Sequence, residues 1–414
     1  MFCGPENRTT LTLLHSKAKI KRILKYKTLY IVLTLTLICY AIRYSLSSAV
    51  MNLENREQES ADSSFSLFCD VWNRRFHEQP LSEALRGRVV FEPLVAAGFA
   101  NQLRGIISAF FYAVLTHREF FIHWNEGNQK FRLEEYLAPN CLDWRLDRHV
   151  TYDPRFMVEE DLRYLKISGS KKGRGHPEIA YTFQSQNLRE VHPERTIVIS
   201  SNDLFYDNFY HNPHYCKRIR DMGFMHPDDF FHVIFEYLLK PTSVLQLKVN
   251  DTMKNFSTSL GIQMRLGGSQ SETNFHDLAA KKMSVPSSSR YRFESCALQV
   301  VSQLQKKLER HSIFVTSDST DFHKSFHSGK FVLASNTGPI EHTGMSRLTH
   351  DGLLRVFADF IVLSRCDFII SSPGTFGSSA ALAGGKKSFF RVSNYADSYN
   401  CSKVYCGHQS TYCS

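Results

Sequence analysis

Backbone N–H groups, hydroxyls and the start of a helix, brought together at the edge of a sheet, hold anions well, and the stretch Ser364 to Gly385 has that composition. An apolar run, Phe368-Ile-Ile370, leads into Ser371-Ser-Pro-Gly-Thr-Phe-Gly-Ser378 and then into alanines. This predicts a buried parallel strand feeding a helix (Ser378 to Leu382) through a turn of small residues. The turn is neither a Walker A pattern nor the glycine pattern of dinucleotide sites, so an ordinary strand-to-helix connection accounts for it equally well. Upstream, Leu260-Gly-Ile-Gln-Met-Arg265 predicts a strand whose C-terminal tip projects one arginine. A guanidinium is suited to a diphosphate because its planar fork donates two parallel charge-assisted hydrogen bonds. Ligands of open α/β sheets bind at strand tips. The plainer alternative is a surface arginine after a core strand.

Alternating elements must position these groups. In the N-terminal half, Val89 to Ala96 and Phe120 to Trp124 read as strands flanking a helix from Asn101 to Leu115, and Thr196 to Ser201 reads as a further strand. Asp228 to Leu247 has helical spacing throughout, while 125–190 shows no clean period. From Gly261 a second series follows: strands at 261–265, 313–316, 330–334, 368–370 and 388–392, with helices at 294–308, 353–363 and 378–382. A polar loop at 267–290 is too long to be idle in a compact domain. Such alternation predicts α/β architecture, two Rossmann-like domains at 67–258 and 259–395, with a Cys-rich tail at 396–414.

The net charge of +10 suggests nucleic acid until it is located. Residues 1–43 hold eight Lys or Arg against one acidic residue, so the body is nearly balanced and neither a nucleic-acid nor a lipid-surface role is supported. The basic tail, 1–27, precedes an apolar segment, 28–50, broken only by Arg43, and then a polar stem, 51–66. The charge asymmetry predicts a type II signal anchor with the body on the far side of the membrane; a cleaved signal peptide ending near Ser47-Ser-Ala49 is the rival reading. Eight cysteines beyond the anchor, an even number, point to disulfides in an oxidising compartment. Those at 401, 406 and 413 suggest a stapled tail, and Asn250, Asn255 and Asn400 lie in glycosylation sequons. No Cys-x-x-Cys or spaced His pair suggests a metal.

Four stretches, in order, resemble the xyloglucan-type α-1,2-fucosyltransferases. Gly98-Phe-Ala-Asn-Gln-Leu-Arg104 and its continuation to Arg118 is similar to the family's "G-x-x-N-R-L" segment, and Gly261-Ile-Gln-Met-Arg265 to its "G-I-Q-I-R". His350-Asp-Gly with Ala358 to Asp367 is similar to "H-E-x-x…A-L-x-D-M-x-L-L-S-x-S-D", and Ser372-Pro-Gly-Thr-Phe-Gly377 to "S-x-x-S-T-F-G". The resemblance implies a GT-B fold with two Rossmann-like domains facing a cleft, GDP-fucose as donor, a glycan hydroxyl as acceptor, inversion at the anomeric carbon, and a Golgi address.

It also implies roles. Arg265 would neutralise the departing diphosphate, assisted by Ser372, Gly374, Thr375, Phe376, Gly377 and Ser378, with Phe376 either stacking on the base or filling the core. Ser317 and Asp318, after a strand, would read ribose or guanine, unless they form a solvated turn. Asn101, Arg104, His350 and Asp351 would lie near the nucleotide, although Gln102 stands at the family's arginine position and Asp351 at its glutamate. Glu341, with Asp318, is the carboxylate nearest a matched stretch and the candidate catalytic base. No Asp-x-Asp triplet is present, so transfer without a metal cofactor is expected. The same donor used on protein Ser/Thr or on a core N-glycan, and a non-catalytic lumenal glycan-binding protein on this scaffold, are the alternatives.

Overall fold

Short runs of branched and aromatic residues, buried on both faces, form the strands of two largely parallel sheets. The computed structural model describes residues 67–76, 87–94, 97–124, 131–146, 162–167, 177–226, 229–254, 259–265, 312–318, 332–334, 336–341, 343, 348–372, 374–386, 388–392 and 401–405. The chain divides into two units, Met1–Val71 and Trp72–Ser414. Of the first, residues 67–71 are described and are helical. Apart from Cys69, everything below concerns the second. The anchor expected at 28–50, the stem, the loop at 267–290 and the helix at 294–308 lie outside the described residues. Among the described residues no helix is long and apolar enough to cross a membrane.

Strand β1 (Arg88–Glu92) buries Val89, Val90 and Phe91 completely. It leads into α1 (Phe99–Leu115), and the chain then returns as β2 (Glu119–Ile122). Residues 125–190, without period in sequence, supply β3 (Leu137–Pro139), β4 (Leu162–Ile167) and α2 (Pro177–Ser185). With β5 (Thr196–Ser201), the first sheet has the order β2-β1-β5-β4, all parallel. The long helix expected over 228–247 is in fact two. Helix α3 (Asp229–Leu238) ends at β6 (Leu239–Pro241), which pairs antiparallel with β3, and α4 (Ser243–Met253) follows. Pro241 causes the break, since its ring forces Lys240 into extended backbone and it offers no N–H for a helical bond.

The second sheet contains β7 (Ser259–Met264), β8 (Ser312–Ser317), β9 (Val332–Ala334), β10 (Phe368–Ser371), β11 (Ser388–Val392) and β12 (Cys401–Tyr405), in the order β12-β11-β10-β7-β8-β9. Only β12 runs antiparallel to its neighbour. The expected tail therefore contributes an edge strand to this sheet. Between β9 and β10 lies α5 (His350–Arg365), and between β10 and β11 lies α6 (Thr375–Ala383). Helix α1 is buried nearly all round, as a helix between two layers must be. On one side Phe110 meets Phe120 and Phe111 meets Phe230, with ring centroids 5.4 and 4.1 Å apart. At the other, Phe99 meets Phe357 and Phe360 of α5, at 4.6 and 5.2 Å. Each such buried ring contributes about 1.5–3 kcal/mol of transfer free energy.

Cys69, Cys141 and Cys216 are disulfide-bonded. Cys366 departs from the expected all-disulfide pattern, because it is a free thiol, wholly buried, donating to the Val362 carbonyl. Burial pushes its thiol up to about 12, so it packs as a small apolar group.

Candidate active site

A cleft partly open to solvent, about 880 Å³ when the open solvent at its mouth is counted, lies between the C-terminal tips of β7 and β8, the first turns of α1 and α6, and the segment around Ile340. Helix α6 begins at Gly374, whose φ of +146° is a left-handed conformation that side chains resist, and no side chain caps it. This uncapped start, with Gly374, Thr375 and Phe376, lines the cleft. Helix α1 also starts at an uncapped glycine, Gly98, with Asn101 in the cleft wall. Here one N–H is engaged, that of Phe99 donating to Thr343 Oγ1 at 2.6 Å.

Arg265 leaves the tip of β7 into the same cleft. Its backbone N–H donates to Ser372 Oγ at 2.9 Å, which joins the arginine's strand to the turn before α6. Ser371 Oγ donates to Gln263 Oε1 at 3.0 Å, and the Ser372 N–H to the Gln263 carbonyl at 2.9 Å, so the two strand ends are tied three times. Arginine and helix N-terminus thus face one space, an arrangement that attracts a dianion.

Other residues named from the sequence fall in different places. Ser317 and Asp318 line the cleft. So does Glu341, but its carboxylate accepts the Thr349 N–H and hydroxyl at 2.9 and 2.8 Å and covers the start of α5, where Thr349 is the N-cap. His350 and Asp351 do not line the cleft. His350 Nδ1 lies 3.0 Å from the Tyr136 hydroxyl, and Asp351 is exposed in the first turn of α5. Arg104 reaches across from α1 and donates to Ser379 Oγ and Ser378 Oγ, each at 2.8 Å. Both of these contacts are with α6, and the Ser378 hydroxyl is turned back onto its own helix. Gly377 packs against Ser371 and Gln263. Phe376 lines the cleft, and its ring meets Phe360 edge-on at 5.5 Å.

The sequence reading missed the cleft's floor. Asp359 of α5 is buried, its Oδ2 accepting from Thr316 Oγ1 and its Oδ1 from Asn336 Nδ2, both at 2.7 Å. Arg355, one turn earlier, places Nε 3.7 Å from Asp359 Oδ2 and donates to the Gly338 carbonyl at 2.6 Å. Burial raises the Asp359 carboxyl above its ordinary value; Arg355 and the two hydrogen bonds oppose that rise. The network locks the tip of β8, the segment at 336–341 and α5 together. The available signal was an Arg and an Asp at i and i+4 inside an apolar helix.

No protein-family model matches the sequence, and no curated protein matches it. Solved structures do. FUT1 of Arabidopsis thaliana, an arginine-to-lysine mutant in complex with GDP, is 16% identical with a TM-score of 0.55, over 81% of this chain and 76% of that one. The fucosyltransferase NodZ of Bradyrhizobium is 15% identical with a TM-score of 0.47, over 77% of this chain and 99% of that one. The first likeness shows a shared fold, a GT-B-like pair of parallel sheets.

Proposed function

We propose that this chain is an inverting glycosyltransferase that moves fucose from GDP-fucose to a hydroxyl of a glycan, through an α-1,2-type linkage. One observation carries the reading: Arg265 and the uncapped start of α6 converge on a single cleft, in a fold shared with a protein solved with GDP. The arginine and the helix N-terminus neutralise the charge that gathers on the diphosphate as the C–O bond to the sugar breaks. Ser317 and Asp318 contact the nucleoside at the tip of β8, and the Asp359 network holds that tip in place. The enzyme needs no divalent ion, since the same charges supply what a metal would. It resides in the Golgi membrane, anchored by residues 28–50 with the body lumenal.

Incubation of the purified full-length chain with labelled GDP-fucose and an array of free oligosaccharides and glycopeptides tests the reading. Label on an oligosaccharide, in an α linkage by NMR and undiminished by EDTA, is the expected result, and Arg265→Ala abolishes it. Label confined to glycopeptides would reassign the acceptor. GDP binding without transfer to any acceptor would make the chain a binding protein.

A further inference from the structure

Fucosyl transfer makes no use of the sequon Asn250-Asp-Thr252. The other two sequons, at Asn255 and Asn400, lie outside the described residues. Asn250 stands exposed in the last turn of α4, a helix that buries Leu245 and Val249 and leaves Val244 and Leu247 outward. Val244, Leu247 and Asn250 follow one another at a spacing of three, so they form one stripe along the helix. Leu247 is 70% exposed and Val244 52%, and the stripe therefore carries apolar surface that the fold does not cover. A helical side chain leans toward the helix N-terminus and lies over the turn before its own Cα. A group attached to Asn250 thus comes to rest over Leu247 and, beyond it, Val244. Gln246 Nε2 donates to Asn250 Oδ1 at 2.5 Å, so the helix holds the carbonyl end of the amide and not Nδ2, the nitrogen that carries a glycan.

The third position of the sequon says when attachment must happen. Thr252 Oγ1 lies 2.6 Å from Asn336 Oδ1, and Asn336 Nδ2 donates to Asp359, so in the folded chain this hydroxyl belongs to the network beneath the cleft. Modification must then precede the packing of α4 on the segment at 336–341. Cys69, Cys141 and Cys216 are disulfide-bonded, a state that goes with the oxidising compartments in which sequons are modified. We propose that Asn250 carries an N-linked glycan, added to the nascent chain, whose first sugars cover the stripe of Val244 and Leu247; the assignment rests on the lumenal reading above. In the transfer, Asn250 Nδ2 bonds to C1 of an oligosaccharide while the bond from that carbon to a lipid diphosphate breaks. The electron pair leaves with the lipid diphosphate, and the Nδ2 proton goes to the transferase. The apolar faces of the attached pyranose rings then remove Leu247 and Val244 from water.

The test expresses the full-length chain in a eukaryotic cell. Release of its glycans by peptide N-glycosidase in heavy-oxygen water turns each occupied Asn into a labelled Asp, which peptide mass spectrometry reads. The expected result is label at Asn250 in the wild type and in Thr252→Ser, which keeps both the sequon and the hydroxyl, and loss of one step of gel mobility in Asn250→Gln. Removal of the glycan from the folded chain is expected to raise the binding of an apolar dye, and Leu247→Ser to abolish that rise. An unlabelled Asn250 in a chain whose body is protected from protease inside intact microsomes overturns the site and leaves the lumenal reading standing. A body cut by protease in those microsomes overturns both. Label at Asn250 without the dye signal, or a signal that survives Leu247→Ser, overturns the cover. So does a dimer that Leu247→Ser dissociates, since the stripe then belongs to a second copy.

Discussion

The two halves bring a helix onto a strand tip with the same device and then diverge. In the first, Gly105 of α1 sits so close to β5 that a Cβ would lie 2.3 Å from the Ser201 carbonyl oxygen; in the second, Gly377 of α6 would place one 2.2 Å from Ser371 Oγ. Around that contact the first half packs rings, Phe111 on Phe230 and Tyr206 on Phe230 at centroid distances of 4.1 and 4.3 Å. The second half instead buries a polar network of Thr316, Asn336, Arg355 and Asp359. Ring packing is non-directional and fills volume, whereas hydrogen bonds fix the position of particular atoms. The half that presents Arg265 and the helix start is the one built with directional bonds, as expected of a site that must hold a charged group to within a fraction of an ångström.

The most severe way to break this asymmetry is at Arg265. Arg265→Lys keeps the charge but loses the fork, and transfer is expected to fall by ~10²–10³-fold with the melting temperature unchanged. Near-full turnover would show that the second half's tip does not grip the diphosphate. Next in size is Asp359→Ala, which strands Arg355, Thr316 and Asn336 among buried groups. A loss of about 3–5 kcal/mol is expected from denaturant midpoints, as when one partner of a buried charge network is removed.

The paired glycines sharpen the comparison at smaller cost. Gly105→Ala presses on a backbone carbonyl and on the Phe91 ring, neither of which can move freely. It should cost about 1–3 kcal/mol by overpacking. Gly377→Ala presses on the Ser371 side chain and the Gln263 amide. Its stability loss is expected to be the smaller, and its weakening of GDP binding by calorimetry the larger, because those two groups tie β7 to the turn. Equal effects on GDP binding from both substitutions would remove the functional distinction between the halves.

How much of this was legible depended on whether a feature is local. Strands β7, β8, β10 and β11 read directly as apolar runs, because parallel strands covered on both faces need no alternation. Helices α1 and α5 read from their spacing, and the turn before α6 from its small residues. The network on Asp359 did not, since Thr316, Asn336 and Asp359 each look like ordinary polar positions until the fold buries them together. Glu92 and His123, whose side chains lie 3.1 Å apart, are separated by 31 residues and meet only through the β1–β2 register. Strand β12 hid in a polar, Cys-rich segment whose pairing comes from β11 alone. Arg104, Ser378 and His350 were read as ligand-facing from their motif positions; that Arg104 meets Ser378 and that His350 meets Tyr136, each across the two halves, could not be read from the sequence.

Acid separates the halves by sign, and this is the smallest effect expected. In the first half, burial holds His192 down at about 4, with its Nδ1 2.9 Å from the Tyr112 hydroxyl, and burial together with Arg218 holds His117 down at about 4. A histidine depressed in the folded state resists protonation that the unfolded chain accepts from about pH 6.5 downward. The first half therefore loses stability as pH falls from about 6.5 to 4. For Asp359 the carboxyl is raised by burial, so the folded state holds its proton more tightly than the unfolded chain does. That contribution is fully present below about pH 4 and is lost as pH rises through the folded value. In urea titrations across this range, His192→Asn should lessen the acid sensitivity of unfolding, and Asp359→Asn should increase it by removing the opposing slope. Slopes that change in the same direction would mean that Asp359 stays ionised throughout, with Arg355 and the two hydrogen bonds outweighing its burial.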